Sequence, residues 1–172
     1  MRIKKLLAVS LSAAVFGPLT TIPAQAVDMP DPAVWGACPQ DGAKDIGKVI
    51  RTWHGGPYGP PENQLGAGDI TLKCGTENVG FRHIVNRHGP QWQTLADIEG
   101  RNWRDIADMA LTKNITNPDQ TAPQDGGKWC VSSEIYLVNK DSGEVVKTKR
   151  TKTILTDKHE VLTTFPTDDG CN

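Results

Sequence analysis

The sequence predicts a single α+β domain, with N-terminal helices packed on a C-terminal antiparallel β-meander and two disulfides. Three observations support this class: an exported part of one-domain length, an even number of cysteines, and a change in hydrophobic period along the chain. As far as residue 111 the apolar residues recur every three or four positions, whereas from Trp129 they alternate. Helices followed by a run of strands are typical of α+β domains.

The first 26 residues have the parts of a secretory signal peptide. The basic start MRIKK is followed by the apolar run LLAVSLSAAVF and by Ala24-Gln25-Ala26, which fits the small-x-small cleavage pattern. We therefore expect Sec-type export and cleavage after Ala26, which leaves residues 27–172 as one secreted domain of 146 residues. No later segment is apolar and long enough to span a bilayer, so no membrane association is expected after cleavage.

The exported part contains four cysteines, which are Cys38, Cys74, Cys130 and Cys171. An even number in an exported chain predicts two disulfides. Metal ligation is the alternative, but no C-x-x-C pair supports it, and we expect neither a metal nor another cofactor. Three pairings are possible, of which we favour Cys38 with Cys171 and Cys74 with Cys130.

The charge balance limits the kind of ligand. Without the signal the chain has 16 basic and 20 acidic residues, a net charge near −4. This argues against binding nucleic acid over the whole surface, so an anionic ligand must meet a local cluster of cations. Such a cluster exists at Lys147, Lys149, Arg150 and Lys152.

The helical half follows a Pro-rich lead-in, residues 27–40. Asp41 is predicted to cap the first helix. Its apolar residues at helical spacing are Ile46, Val49, Ile50 and Trp53. Residues 54–68 are rich in Gly and Pro and predict a surface loop, and residues 69–73 predict a short strand.

Two further helices and three strands follow. Residues 81–88 predict a helix closed by Gly89-Pro90, and Asn102 is predicted to cap the next. The core stripe of that helix is Trp103, Ile106, Ala107, Ala110 and Leu111. A polar connection at 114–128 leads to the meander. Its predicted strands are 129–138, 144–155 and 159–166.

The stretch FRHIVNRHG, residues 81–89, carries the candidate chemistry. On a helix, His83 and Arg87 lie about 40° apart, so an imidazole could exchange a proton while the guanidinium holds a phosphate oxygen. The alternative is a solvated polar face. His88 falls on the apolar stripe, where it could serve as a helix cap instead. The two histidines diverge by about 140° on an α-helix, which argues against a shared metal.

The second strand carries Lys, Arg and Thr on both faces, which predicts that the sheet borders a cleft for an anion. The alternative is a two-stranded ribbon that projects into water. The third strand offers the hydroxyl of Thr163 to a phosphate oxygen, although threonine is also common in strands. Glu134 and Tyr136 could supply a carboxylate and a phenol, or be ordinary surface residues.

The motif R-H-I-x-x-R-H, formed by Arg82-His83-Ile84 and Arg87-His88, is followed by a meander that ends in Thr163-Thr164-Phe165-Pro166. From residue 80 to 166 the chain resembles the barnase-like and RelE-like superfamily of ribonucleases, which includes secreted bacterial toxin domains of contact-dependent inhibition proteins. The resemblance implies metal-independent cleavage of RNA by an acid and a base, with cations that stabilise the phosphorane.

Carried over residue by residue, the resemblance makes His83 the leading acid or base, with His88 as a second candidate. It makes Arg87 a phosphate clamp and Thr163 a phosphate or ribose contact, and the acid and base roles stay unassigned. The substrate-binding residues that it implies are Arg82, Lys149, Arg150 and Thr164.

The sequence thus predicts an exported, toxin-like endoribonuclease that acts as a monomer on RNA, with an immunity protein as a further partner. The alternative is a non-catalytic secreted module on the same scaffold that binds a protein or polysaccharide through the Trp- and Tyr-containing loop 53–58. The first hypothesis requires His83 and Arg87 to converge with Thr163 and a basic strand residue, whereas in the second they point to different sides.

Overall fold

The computed structural model describes Cys38 and residues 43–171, and it confirms the α+β class. The strands are β1 (Val49–Gly55), β2 (Gly68–Lys73), β3 (Gln120–Gln124), β4 (Lys128–Val138), β5 (Val145–Thr156) and β6 (Val161–Thr167). The helical elements are α1 (Gly80–His83), a π-helical turn (Ile84–His88), α2 (Gly89–Glu99) and α3 (Trp103–Thr116). The helices therefore lie between two groups of strands rather than at the N-terminus.

The strands form two antiparallel sheets. β1 and β2 make a ribbon, and β3 to β6 form a four-stranded sheet in chain order. The two are joined where Thr71 N donates to His159 O at 2.9 Å. α2 and α3 cover one face of the larger sheet, and the buried Trp92 Nε1 of α2 donates to Thr164 O at 3.2 Å. The core thus lies between this sheet face and the helices.

The meander and α3 agree with the sequence prediction. β4, β5 and β6 lie within one or two residues of the predicted strands. Asn102 caps α3, because its side chain accepts from Arg104 N at 2.9 Å. The predicted stripe residues Ile106, Ala107, Ala110 and Leu111 are fully buried.

The helix predicted from Asp41 to Trp53 is wrong, because Val49–Gly55 is strand β1. A β-bulge between Val49 and Arg51 shifts the register, so that Ile50 and Trp53 are both buried although they are three residues apart. The bulge therefore reproduces the spacing of a helix. Asp41 itself lies outside the described residues.

The helix from residue 81 does not close at Gly89-Pro90. Three helical segments follow one another without a gap from Gly80 to Glu99, and Gly89 has right-handed helical dihedral angles, although His88 before it departs from them with φ −122° and ψ −7°. Pro90 lacks an N–H and clashes with the preceding turn of a regular α-helix, whereas it is tolerated at the start of α2 after the wider π-turn. The predicted helix end is therefore a change of helix type.

The disulfides join Cys38 to Cys74 and Cys130 to Cys171, with Cα–Cα distances of 5.5 and 5.7 Å. The predicted number is confirmed, but the favoured pairing is wrong. Cys74 ends the two-stranded ribbon and Cys130 lies on β4 of the other sheet, so each pairs with a cysteine near its own sheet. Sequence spacing carries no information on this division.

Two other predictions concern the remaining segments. β3 lies inside the connection predicted at 114–128, and Pro123 suits its position at the sheet edge. The loop at 54–68 folds back on the core, because Tyr58 and Leu65 pair and are both buried. Within the described residues, no helix combines the length and apolar character that crossing a bilayer requires. The predicted signal peptide, residues 1–26, lies outside those residues.

Candidate functional site

The two faces of β5 have different environments. Thr151 and Thr153 are fully buried against α3, where Asn114 Nδ2 donates to Thr153 Oγ1 at 3.0 Å and Thr151 Oγ1 donates to Asn114 Oδ1 at 3.3 Å. This buried polar network stands where a strand under helices usually has apolar side chains. Because side chains alternate along a strand, Arg150 and Lys152 point to the other side of the sheet.

We call the side of the four-stranded sheet that faces away from α3 the open face. Residues directly opposite each other in antiparallel strands share a face, so the pairing register identifies its members. Three rows of directly opposite residues cross this face from β4 through β5 to β6. The first row is Cys130, Ile154 and Thr163, and the second is Ser132, Lys152 and Phe165. The third row is Glu134, Arg150 and Thr167.

The π-helical turn brings His83 and His88 together at the β6 edge of this face. In a π-helix each N–H bonds the carbonyl five residues earlier, so residues i and i+5 lie closer together around the helix axis than they do in an α-helix. His83 directly precedes the turn and His88 ends it, and their ring centroids are 5.4 Å apart in an edge-on arrangement. The divergence expected from an α-helix is therefore wrong, and the two histidines form a pair.

Each ring of the histidine pair is oriented by a hydrogen bond at Nδ1. His83 Nδ1 lies 2.9 Å from Glu77 O, and His88 Nδ1 lies 2.8 Å from Gln91 Oε1. Because a carbonyl oxygen only accepts, each Nδ1 carries the hydrogen. The Nε2 atom of each ring is left to take up or release a proton.

His88 is further held against the sheet by Phe165. The two rings stack with centroids 4.9 Å apart and planes 22° from parallel. Partial burial lowers the pKa of His88, and the nearby charges of His83 and Arg87 lower it further, against the opposing effect of the Gln91 hydrogen bond. His88 is therefore neutral near pH 7.

Arg87 is exposed beside the histidine pair rather than on the open face. It lines a hollow of about 410 Å³ with Glu77, Asn78 and Asn86. Its positive charge is the smallest of the causes that lower the pKa of His88.

Three of the predicted substrate-binding residues are not available to a ligand on this face. Arg82 is buried, and its Nη1 donates to Gly75 O at 2.6 Å. Thr164 is fully buried on the helix side, with its Oγ1 2.9 Å from Thr153 Oγ1. Lys149 also points to the helix side and pairs with Asp168 at 2.6 Å. The sequence pattern could not separate these residues from their neighbours on the open face.

Thr163 and Arg150 do lie on the open face. Thr163 Oγ1 is buried and has no hydrogen-bond partner in the described part of the chain. Arg150 Nη2 donates to Glu134 Oε1 at 2.7 Å, which makes the carboxylate a charge partner rather than a free base. His88 thus stacks on Phe165, and Thr163 lies two residues from Phe165 on the same face of β6. Arg87, which the nuclease hypothesis also requires at this place, lines a separate hollow beside the histidine pair.

Sequence reasoning missed Phe165 and Ser132 as members of this region, and it noted Lys152 only as a charge. The pairing of Ser132 with Lys152 and of Lys152 with Phe165 places all three in one row. Alternation within each strand could have assigned the faces, but only after the register between strands was known.

The two aromatic side chains of loop 53–58, on which the alternative hypothesis depends, are not exposed. Trp53 is buried, and its Nε1 donates to Thr112 Oγ1 at 2.9 Å. Tyr58 is also buried, its hydroxyl donates to Ile115 O at 2.6 Å, and burial raises its pKa to about 12. Both rings therefore stabilise the core and cannot present a binding surface.

Within Cys38 and residues 43–171, no group of three or more His, Cys, Asp and Glu side chains is arranged to hold a metal ion.

No protein-family model matches the chain. Two proteins of Mycobacterium tuberculosis, the uncharacterized protein MT0764 of strain CDC 1551 / Oshkosh and the uncharacterized protein Rv0739 of strain ATCC 25618 / H37Rv, are each 35% identical to it over 167 residues. The match covers 93% of this chain and 60% of each relative, so the chain spans about three fifths of their length. Their names state no activity, and a role for this chain has to be argued from its own residues.

Proposed function

We propose that this protein is an exported, metal-independent endoribonuclease whose acid–base groups are His83 and His88. The observation that carries the proposal is the close approach of the two imidazoles, 5.4 Å between centroids, at the edge of a sheet face with Lys152 and Thr163. Cleavage of RNA without a metal requires a base, an acid, and donors that stabilise the charged phosphorane. This region offers all three.

In the proposed reaction, a neutral imidazole takes the proton of a ribose 2′-hydroxyl, and the 2′-oxygen attacks the adjacent phosphorus. The P–O5′ bond breaks as the second, protonated imidazole gives its proton to the 5′-oxygen. The products are a 2′,3′-cyclic phosphate and a 5′-hydroxyl. Both proton transfers take place at Nε2, because the Nδ1 atoms of both rings are used in fixing their orientation.

We assign the base to His88 and the acid to His83. The lowered pKa of His88 keeps its ring neutral near pH 7, as a proton acceptor must be. Stacking on Phe165 fixes its ring plane. His83 is then the second imidazole within reach of the same phosphate.

The phosphate is proposed to be held by Thr163, Lys152 and Arg87. Thr163 contributes a hydroxyl donor whose hydrogen-bonding capacity is unused among the described residues. Lys152 forms no ion pair within the same part of the chain, so its charge is available on the open face. Arg87 contributes a second cation from the other side of the histidine pair. These few cations offset the acidic character of the chain where the substrate binds.

The two disulfides support export, since such bonds persist mainly in oxidising compartments. With the signal-like N-terminus, they favour a secreted effector that acts as a monomer on RNA of other cells. A producing cell would then need an immunity protein that covers the histidine pair.

The test is cleavage of total RNA by the purified, oxidised protein in the presence of EDTA. We expect activity that EDTA spares. His83→Gln and His88→Gln should each lower the rate about 10²–10⁴-fold, the usual contribution of an acid or base. The products should carry 2′,3′-cyclic phosphate ends.

The matched control is His54→Gln. His54 is exposed on the ribbon and bonds to Asp69 at 3.0 Å, so this variant should keep full activity. Equal activity of His83→Gln and the unaltered protein would remove His83 from the mechanism. No cleavage by the unaltered protein would favour a non-catalytic module.

A further inference from the structure

The open face contains three buried polar atoms without a hydrogen-bond partner in the described part of the chain. They are Ser132 Oγ, Arg150 Nη1 and Thr163 Oγ1. Buried polar groups are almost always paired, so each exception requires a physical reason. Ser132 is the clearest case, because its side chain is 0% exposed.

Other buried polar atoms that lack a regular hydrogen bond have charged or aromatic neighbours. Arg51 Nε lies 3.2 Å from Asp108 Oδ1 in an ion pair. The Arg104 guanidinium lies 5.6 and 5.8 Å from the ring centroids of Trp103 and Phe81. Ser132 Oγ and Thr163 Oγ1 have no such neighbour among the described residues, whereas the Arg150 guanidinium is paired with Glu134 through Nη2 and only its Nη1 is left over. All three atoms share one face of one sheet.

The chemistry of these atoms indicates what is missing. Arg150 Nη1 can only donate, and the hydroxyls of Ser132 and Thr163 are able to donate. Lys152, directly opposite Ser132 and two residues from Arg150 on the same strand, adds a cation. A set of donors and cations is completed by an anion with several acceptor oxygens, such as a phosphate group.

We propose that Ser132, Arg150 and Lys152 form a second phosphate-binding subsite, which takes a neighbouring phosphate of the same RNA strand. The inference rests on the proposed function, in which Thr163, Lys152 and Arg87 hold the reacting phosphate beside the histidine pair. Lys152 lies between Ser132 and Phe165 in one row, so its charge is shared by both phosphates. Ser132 lies two strands from Phe165, about 10 Å at the usual strand spacing, so one phosphate cannot occupy both places. The substrate is therefore an oligonucleotide that crosses the sheet from β6 towards β4.

The C-terminal segment, residues 168–171, determines access to this subsite. β6 ends at Thr167 on one edge, while Cys171 is bonded to Cys130 on β4 and its N–H donates to Gln120 Oε1 on β3 at 3.1 Å. The segment therefore crosses the open face, and Gln120 is the direct partner of Ser132. A phosphate reaches Ser132 when this segment shifts, and the Cys130–Cys171 bond limits that shift.

The experiment measures binding of uncleavable 2′-O-methyl di- and tetranucleotides to the oxidised protein and to a variant with both Cys130→Ser and Cys171→Ser. We expect the tetranucleotide to bind more tightly than the dinucleotide, most clearly in the cysteine variant. Ser132→Ala should reduce tetranucleotide affinity about 10-fold and leave the dinucleotide unchanged, as loss of one hydrogen bond to a charged group implies. Lys152→Gln should reduce the slope of log affinity against log salt by about 0.7.

The matched control is Ser133→Ala. Ser133 is also fully buried and adjacent in sequence, but it faces the helices, and its Oγ accepts from Asp119 N at 3.2 Å. Ser133→Ala should lower the melting temperature without affecting the affinity ratio. Ser132→Ala should instead maintain or raise the melting temperature, because the substitution removes a hydroxyl that is unpaired within the described residues.

An affinity ratio that Ser132→Ala leaves unchanged in both protein forms would overturn the subsite. Because the ligands cannot be cleaved, this result is separate from the nuclease test. Ser132-dependent binding without cleavage of natural RNA would keep the subsite and reject the nuclease. Cleavage of natural RNA without Ser132-dependent binding would keep the nuclease and reject the subsite.

Discussion

Replacing Thr163 by valine is expected to stabilise the protein and to impair RNA cleavage at the same time. Thr163 Oγ1 is buried with no hydrogen-bond partner in the described part of the chain. Valine has nearly the same shape and lacks the hydroxyl. An unpaired buried polar group costs about 1–3 kcal/mol, so Thr163→Val should raise the free energy of unfolding by about 1–2 kcal/mol. At about 3–4 °C per kcal/mol, the melting temperature should rise by roughly 3–8 °C.

The catalytic effect of the same substitution has the opposite sign. If Thr163 Oγ1 donates to the reacting phosphate, its loss should lower the rate of RNA cleavage about 10–100-fold, somewhat less than the loss of a dedicated oxyanion donor. Thermal unfolding and initial cleavage rates at a temperature well below both melting points measure the two effects separately.

Thr153→Val is the matched control. Thr153 lies on neighbouring β5 but faces the helices, where its Oγ1 accepts from the buried Asn114 at 3.0 Å and contacts Thr164 at 2.9 Å. Its replacement should destabilise by about 1–3 kcal/mol without changing the cleavage rate. A Thr163→Val protein that melts lower than the unaltered protein, or that cleaves RNA at the full rate, would refute the reasoning.

The remaining predictions concern pH and the disulfides. The pKa of His88 is lower in the folded protein than in the unfolded chain, so the unfolded chain binds a proton at this ring more readily. The free energy of unfolding that His88 contributes is therefore complete above about pH 6.5. It is lost as the pH falls through the folded-state pKa. Urea unfolding between roughly pH 5 and 8 should show that the free energy of unfolding decreases towards low pH, and His88→Gln should lack this decrease. The value of kcat/KM for RNA cleavage should rise with pH, with a midpoint below about 6.5. Non-reducing peptide mapping should recover Cys38–Cys74 and Cys130–Cys171, and a Cys38–Cys171 peptide would contradict the fold. Reduction should cost about 4 kcal/mol per bond, given loops of 36 and 41 residues.

The elements that could be predicted are those in which the order of apolar and polar side chains within one segment shows which positions are buried. The stripe of α3 and the cap at Asn102 are contained in one segment, so spacing alone identifies them. β4 likewise shows by alternation the positions that face the helices, although Cys130 and Ser132 on the other face are buried as well. β1 could not be predicted, because the bulge at Ile50 gives a strand the spacing of a helix. The short polar strand β3 has no apolar face to reveal it.

The sequence could predict which residue types form the candidate site, but not how these residues are arranged in space. His83, His88 and Thr163 were identified from the motif, and the structure brings the two rings together and places Thr163 on the open face. Thr164 and Lys149, which were predicted to bind substrate, face the helices instead, because a one-residue step along a strand changes its face. The histidine pair itself depends on a π-helical turn that has no signature in FRHIVNRHG.

The amino-acid sequence by itself determined the α+β class, the two disulfides as a number, and the presence of histidine, arginine and threonine in two segments about 80 residues apart. These properties follow from composition and from periodicity within single segments. The tertiary structure alone decided which cysteines pair, which side of β5 faces away from the helices, and that the rings of His83 and His88 lie 5.4 Å apart. All three depend on strand register and helix type, which are set by packing between segments that are distant in the chain.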